Sequence, residues 1–161
     1  MKKKIVFIMN PISGTSSKAA VPSLIDSTLD KEQFEYEIKM TERPEHASEL
    51  AAEARDNHAD IVVAVGGDGT VNEVARSLVH SDSALGILPC GSGNGLARHL
   101  LLPMNLKKSI EIINACEIHD LDYGVINEYP FFCTCGMGFD AFVSMKFAES
   151  GKRGPISYAE N

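Results

Sequence analysis

Three short glycine-rich segments hold the residues best suited to chemistry: Asn10-Pro11-Ile12-Ser13-Gly14, Gly66-Gly67-Asp68-Gly69-Thr70-Val71-Asn72-Glu73 and Pro89-Cys90-Gly91-Ser92-Gly93-Asn94-Gly95. Glycine lets backbone N–H groups turn inward and approach a ligand closely, and a following helix N-terminus adds partial positive charge. Ser13, Thr70 and Ser92 add hydroxyl donors. That combination suits a bound phosphate. Asp68 is out of character in a passive phosphate cradle, because a carboxylate beside phosphates is repelled unless a divalent cation lies between them or it takes part in proton transfer. It points to Mg2+ and nucleoside triphosphate chemistry, with Asp68 as the candidate catalytic group. A tight turn is the competing reading for the first or third segment taken alone. The second exceeds what a turn requires, since a turn needs neither adjacent glycines nor an acid flanked by glycine. Glu73 is either a second functional carboxylate or, more simply, an acid complementing its own helix dipole.

Two rival phosphate motifs fail. No G-x-x-x-x-G-K-[ST] occurs, which excludes a P-loop. Gly136-Met137-Gly138-Phe139-Asp140-Ala141 matches G-x-G-x-x-A but lacks room for a following βαβ unit, so it is a chance match.

Each of the three segments needs an element to position it. Residues 4–9 form an apolar run stopped by Asn10-Pro11, as expected of a strand buried on both faces, and 61–65 and 85–88 read the same way. Phe34, Tyr36, Ile38 and Met40 alternate with charged residues, a half-buried strand near a sheet edge. Between the strands, helical spacing predicts a helix over 17–29 with its regular part starting at Pro22. A second opens with Pro44 in its first turn and ends at Asn57, and others cover 71–79, 95–102 and 106–115. Strands alternating with helices predict an α/β fold with a doubly wound, mostly parallel sheet. In such sheets ligands bind at the carboxyl ends of the strands, so the three segments should converge on one edge. From 118 onward the pattern changes to extended segments over 118–126 and 130–135, joined by a turn near Asn127-Glu128. A domain boundary is expected near 116–120, dividing an ATP-binding α/β domain (1–117) from the start of an incomplete β-rich domain (118–161).

Composition bounds the function. The 161 residues are 44% hydrophobic and 23% charged, an ordinary globular balance, with no internal repeat. A formal net charge of −7 leaves no general cationic surface for a nucleic-acid backbone, so nucleic acid is not an expected partner. Four cysteines, two of them in the Cys133-Thr134-Cys135 stretch, fit a reduced cytosolic inventory better than a disulfide scaffold. The N-terminal run after Lys2-Lys3-Lys4 is too short to export or span, which leaves membrane contact peripheral at most.

Taken together and in this order, the three motifs resemble the diacylglycerol kinase catalytic-domain family, which includes bacterial lipid kinases and sphingosine kinases. Gly-Gly-Asp-Gly-Thr alone is shared with NAD kinases and phosphofructokinases. The Asn-Pro-x-Ser-Gly start and the Gly-Ser-Gly-Asn loop select the lipid branch. The resemblance implies that Asn10, Pro11, Ile12, Ser13, Gly14, Thr41, Gly66, Gly67, Asp68, Gly69, Thr70, Val71, Asn72 and Ser92 contact ATP. Asp68 would be the acid nearest the transferring phosphate and its Mg2+, while Ser92 stands where family members usually carry threonine. His99 reads as a surface helix residue. The family's second, β-sandwich domain lines the lipid side of the cleft and supplies a catalytic base and a further metal site. Leu121-Asp122-Tyr123-Gly124 and Gly138-Phe139-Asp140-Ala141 resemble only its opening strands. Asp140 is a candidate substrate-cleft residue or, equally, a turn residue.

The expected protein is thus the N-terminal portion of an ATP- and Mg2+-dependent kinase of diacylglycerol or a sphingoid base, inactive alone, cytoplasmic and peripheral at the inner membrane surface. Phe142, Met145, Lys146, Phe147, Lys152 and Arg153 form an apolar and basic run suited to that surface. A soluble-substrate kinase of the NAD kinase type and a non-catalytic nucleotide-binding module are the alternatives, and oligomeric state, a homo-oligomer included, stays open.

Overall fold

The computed structural model describes residues 1–12, 18–138, 141–143 and 145–146. The chain runs β1 (Lys3–Met9), α1 (Val21–Thr28), β2 (Phe34–Met40), α2 (His46–Asp56), β3 (Ile61–Gly66), α3 (Asp68–Leu78), β4 (Ala84–Pro89), α4 (Gly95–His99), α5 (Leu106–Ala115), β5 (Gly124–Ile126) and β6 (Tyr129–Phe131). The first four strands form one parallel sheet in the order β2-β1-β3-β4, and the last two form an antiparallel pair.

The apolar runs are continuous because the central strands are covered on both faces. On β1, Val6 and Ile8 face a cluster with Ala47, Ala51 and Ala54 of α2, Val71, Val74 and Leu78 of α3, and Leu96 and Ala97 of α4. Ile5, Phe7 and Met9 face the other way, among Val21 and Ile25 of α1 and Ile110 and Ile113 of α5. Strand β3 divides likewise, Val62 and Ala64 against Ile61, Val63 and Val65, as the period-2 geometry of a strand requires. Alternating β2 lies at the edge, as its sequence pattern predicts.

Several bounds differ from the sequence expectation for identifiable reasons. Helix α3 begins at Asp68, not at 71, because only Gly67 is needed to turn the chain out of β3. Helix α4 stops at His99, short of 102, with Leu101 at φ 56. Pro44 lies outside α2, whose N-cap is Glu45. The extended segments after 116 pair only over three residues each, across a two-residue turn in which Asn127 (φ 46) and Glu128 (φ 70) both adopt the left-handed conformation of a tight hairpin. This hairpin docks on the α/β unit: Phe132 packs against the α2–α3 side of the core, and the Tyr123 hydroxyl lies 3.1 Å from His80 Nε2.

Phe7 is fully buried and meets Tyr36 of β2 edge to face, with ring centroids 6.1 Å apart. F7A should cost about 3–5 kcal/mol, a large part of the roughly 5–15 kcal/mol that stabilises a domain. Urea denaturation checks this; a cost below about 1 kcal/mol would show that the two-sided core closes over the cavity.

Candidate functional site

Parallel registration carries the ends of all four strands to one edge. Beyond the strands the ladder continues: Thr41 N–H donates to Met9 O (2.9 Å), Asn10 N–H to Val65 O (3.1 Å) and Cys90 N–H to Gly66 O (2.7 Å). The first residues of the β2, β1, β3 and β4 loops therefore stand side by side, spanning about 14 Å at the usual strand spacing. Of the fourteen residues singled out as ATP contacts, the structure brings twelve to this edge. Ser13 and Gly14 lie outside the described residues, as does Asp140.

The glycines are explained by close approach. A Cβ on Gly67 would sit 3.1 Å from the Cα of Gly91, and one on Gly91 would collide with the Cα of Gly67, so the second and third loops touch backbone to backbone. A Cβ on Gly66 would collide with the Thr70 hydroxyl. Thr70 is accordingly buried, its side chain folded back over Gly66. Val71 is committed to the core, leaving Asp68, Gly69 and Asn72 exposed at the start of α3, together with Ser92 opposite. In the first loop the Asn10 carboxamide oxygen accepts the Ile12 N–H (3.0 Å), which turns the chain outward and leaves Ile12 exposed.

Asp68 is held by the third loop. Its Oδ2 accepts the Asn94 N–H (2.9 Å) and its Oδ1 the Gly95 N–H (2.5 Å). Each oxygen of an ionised carboxylate has a second lone-pair site. The exposed Asp68 carboxylate therefore keeps hard oxygen donor capacity of the kind Mg2+ takes when phosphates supply its other ligands. Among the described residues no three His, Cys, Asp or Glu side chains cluster to cage a metal ion by themselves.

Glu73 has a different task from the one its position in α3 suggests. It does not serve its own helix; its Oε2 accepts the Ala47 N–H (3.1 Å) at the start of α2, which has no side-chain cap of its own. Burial pushes the Glu73 carboxyl above its ordinary value, against the backbone N–H groups of Ala47 and Ser48 and the nearby His46, which pull it down. The contact fixes α2, and with it the segment after Thr41.

Sequence reasoning missed three residues. Lys18 is buried, and its ammonium donates to Asn10 O (2.6 Å). Burial raises the nearby Cys90 thiol pKa, and the Lys18 charge opposes that rise. Arg98 Nε donates to Gly93 O (2.8 Å), and Asn94 is buried inside its loop. Only Asn94 carried a signal: asparagine between glycines favours a left-handed backbone. His99 is exposed, as expected, yet it lines a cavity of about 250 Å³ with Leu121, Asp122, Tyr123, Phe132 and Cys133.

Comparisons with known proteins agree on one family. The sequence model of the diacylglycerol kinase catalytic domain matches residues 4–126. A protein of Streptococcus pneumoniae serotype 4, provisionally named a lipid kinase, is 32% identical over 164 residues, covering 99% of this chain and 55% of its own length. A diacylglycerol kinase of Staphylococcus saprophyticus is 31% identical, covering 98% of this chain and 53% of its own. The crystal structure of a diacylglycerol kinase from Bacillus anthracis superposes with a TM-score of 0.69 at 24% identity, over 80% of this chain and 48% of that one, a likeness of fold. The chain thus spans about half the length of these relatives.

E73A removes the side-chain acceptor of the Ala47 N–H at the α2 start and should cost about 1 kcal/mol, the usual value of a lost cap. E73Q keeps an acceptor and removes the half-buried ionisable group. Because the Glu73 carboxyl is raised, its stabilisation is present below the ordinary glutamate range and is lost as pH rises through the raised value. Stability relative to E73Q should therefore fall between about pH 4 and pH 7. Urea midpoints at the two pH values test this, and a constant difference would refute it.

Proposed function

Because the chain belongs to the diacylglycerol kinase catalytic domain family, we propose that it is the nucleotide-binding half of an ATP- and Mg2+-dependent lipid kinase. Residues 1–117 form the ATP-binding unit in this reading, and 118–161 begin the lipid-facing domain. The observation that carries it is the convergence of three glycine-rich strand ends around one exposed carboxylate, Asp68, held by two backbone N–H groups of the opposing loop. Helix α3 directs its N-terminus at the same place, where anionic phosphate is favoured.

The chain's own residues divide the work. The backbone N–H groups that begin α3 and those of Ser92 and Gly93 bind and orient the phosphates, with the Asn10 loop and Thr41 beside them at the sheet edge. Asn72 and Ser92 supply polar side chains at the rim, and the buried Lys18 ammonium adds a fixed positive charge behind the first loop. Asp68 is the residue that would hold Mg2+, which when bound neutralises charge on the transferring phosphoryl group. A lipid hydroxyl would attack the γ-phosphorus in line from the side of the β5–β6 hairpin, losing its proton as the bond to the departing ADP oxygen breaks, and catalysis rests mainly on positioning and charge neutralisation. The exposed Phe142, Met145 and Lys146 suit a peripheral membrane contact.

Isothermal titration of the chain with Mg-ATP should show binding that D68A weakens by about tenfold or more, with an unchanged circular dichroism spectrum. In the full-length protein D68A should lower phosphotransfer by orders of magnitude. Assays with diacylglycerol, a sphingoid base and NAD separate lipid from soluble acceptors, and turnover of NAD alone would overturn the lipid reading. Near-normal activity of D68A would refute the role given to Asp68. The triple variant K146E/K152E/R153E should bind anionic vesicles less tightly, since each basic residue near such a surface contributes about 1 kcal/mol; unchanged partitioning in a sedimentation assay would remove the membrane patch.

A further inference from the structure

Asn94 has every polar group engaged. It sits at φ 56, ψ 47, the left-handed region that asparagine tolerates better than most residues, and it is buried. Its side chain pairs with both backbone groups of Gly91: Oδ1 accepts the Gly91 N–H (2.8 Å) and Nδ2 donates to the Gly91 C=O (2.7 Å). Its own C=O accepts the Arg98 N–H (2.9 Å), the first hydrogen bond of α4. Its own N–H and that of the next residue, Gly95, go to the two oxygens of Asp68.

Two consecutive N–H groups can serve one carboxylate only when the backbone aims them the same way, which a left-handed residue followed by a helical turn achieves. The side chain decides where that pair is placed. Gly91 is in backbone contact with Gly67, the residue before Asp68, so pairing with Gly91 ties the Asn94 turn to the loop that carries the acid. The acid is also packed close: a Cβ on Gly93 would lie 2.6 Å from Asp68 Oδ2.

We propose that Asn94 is the positioning residue for Asp68: its carboxamide locks the Gly91–Gly95 loop so that two N–H groups hold the carboxylate with its remaining lone pairs turned to the cleft. The assignment rests on the proposed nucleotide site only for its functional consequence. The hydrogen bonding it asserts stands independently.

The test uses this chain. N94G keeps a residue that accepts the left-handed backbone and keeps the N–H to Asp68, removing the carboxamide that pairs with Gly91 and its long contact to Met104 Sδ (3.9 Å). Amide hydrogen exchange read by NMR should show Gly95 exchanging about tenfold faster in N94G and in D68N, the equivalent of one charge-assisted hydrogen bond. Amides of Phe7 and Val63 should keep their wild-type rates. D68N reads the same contact from the other partner, and stays decisive if N94G does not fold. An unchanged Gly95 rate in a folded N94G or D68N overturns the anchoring. Titration with Mg-ATP and with ATP in EDTA supplies the second reading: N94G should weaken the former about tenfold and the latter much less, because a misplaced Asp68 is felt through the cation. Equal weakening of both, or none, overturns the positioning role and leaves Asn94 a structural residue. Should the wild-type chain bind neither form, the proposed function fails, and the exchange rates alone decide the assignment of Asn94.

Discussion

The contact on which the site depends is between two backbones. Parallel pairing of β3 with β4 ends with the Cys90 N–H on Gly66 O, and the next residues, Gly67 and Gly91, then touch with no room for a Cβ on Gly91 and little on Gly67. Strands in a sheet are separated by a fixed spacing, so loops leaving adjacent strands can meet this closely only where side chains are absent. From that contact follow the placement of Asp68 at the head of α3, the packing of its carboxylate against Gly93, and the ability of the Asn94 turn to reach it.

Helix α3 is the hub of the arrangement. Its two acids, Asp68 in the first turn and Glu73 in the second, each accept backbone N–H groups at the start of a different helix, α4 for Asp68 and α2 for Glu73. One helix thereby joins the third loop to the segment that follows Thr41. The two carboxylates differ in environment. Asp68 is exposed at the sheet edge, whereas burial raises the Glu73 carboxyl. An acid open to a cation and an acid closed over a helix end are what a ligand site and its scaffold respectively require.

Much of this was legible from residue types. The apolar runs at 5–9 and 61–65, the alternation of 34–40 and the helix at 106–115 all appear in the structure, and the three glycine-rich segments converge as strand-end loops must. The errors were local. The helical start of the Gly-Gly-Asp-Gly-Thr segment was hidden because glycines suggest a loop, although a single capping glycine suffices once the following residues are held by packing of Val71 and Val74. Glu73 looked like a residue serving its own helix dipole because its true partner lies 26 residues away. Lys18 followed no pattern at all, since nothing about an isolated lysine indicates that it will be buried against Asn10 O.

What the sequence by itself determined is the layering and the edge: hydrophobic periodicity and glycine placement are properties of neighbouring residues, and they suffice to put β1, β3 and β4 in a two-sided core with their loops together. What only the tertiary structure decided is the wiring of that edge. Asp68 reaches Asn94 and Gly95 across 26 and 27 residues of chain, and it does so because the β3–β4 register brings Gly67 against Gly91. Hydrogen bonds of this kind depend on positions to within a few tenths of an ångström, which composition and spacing do not encode and which packing alone supplies.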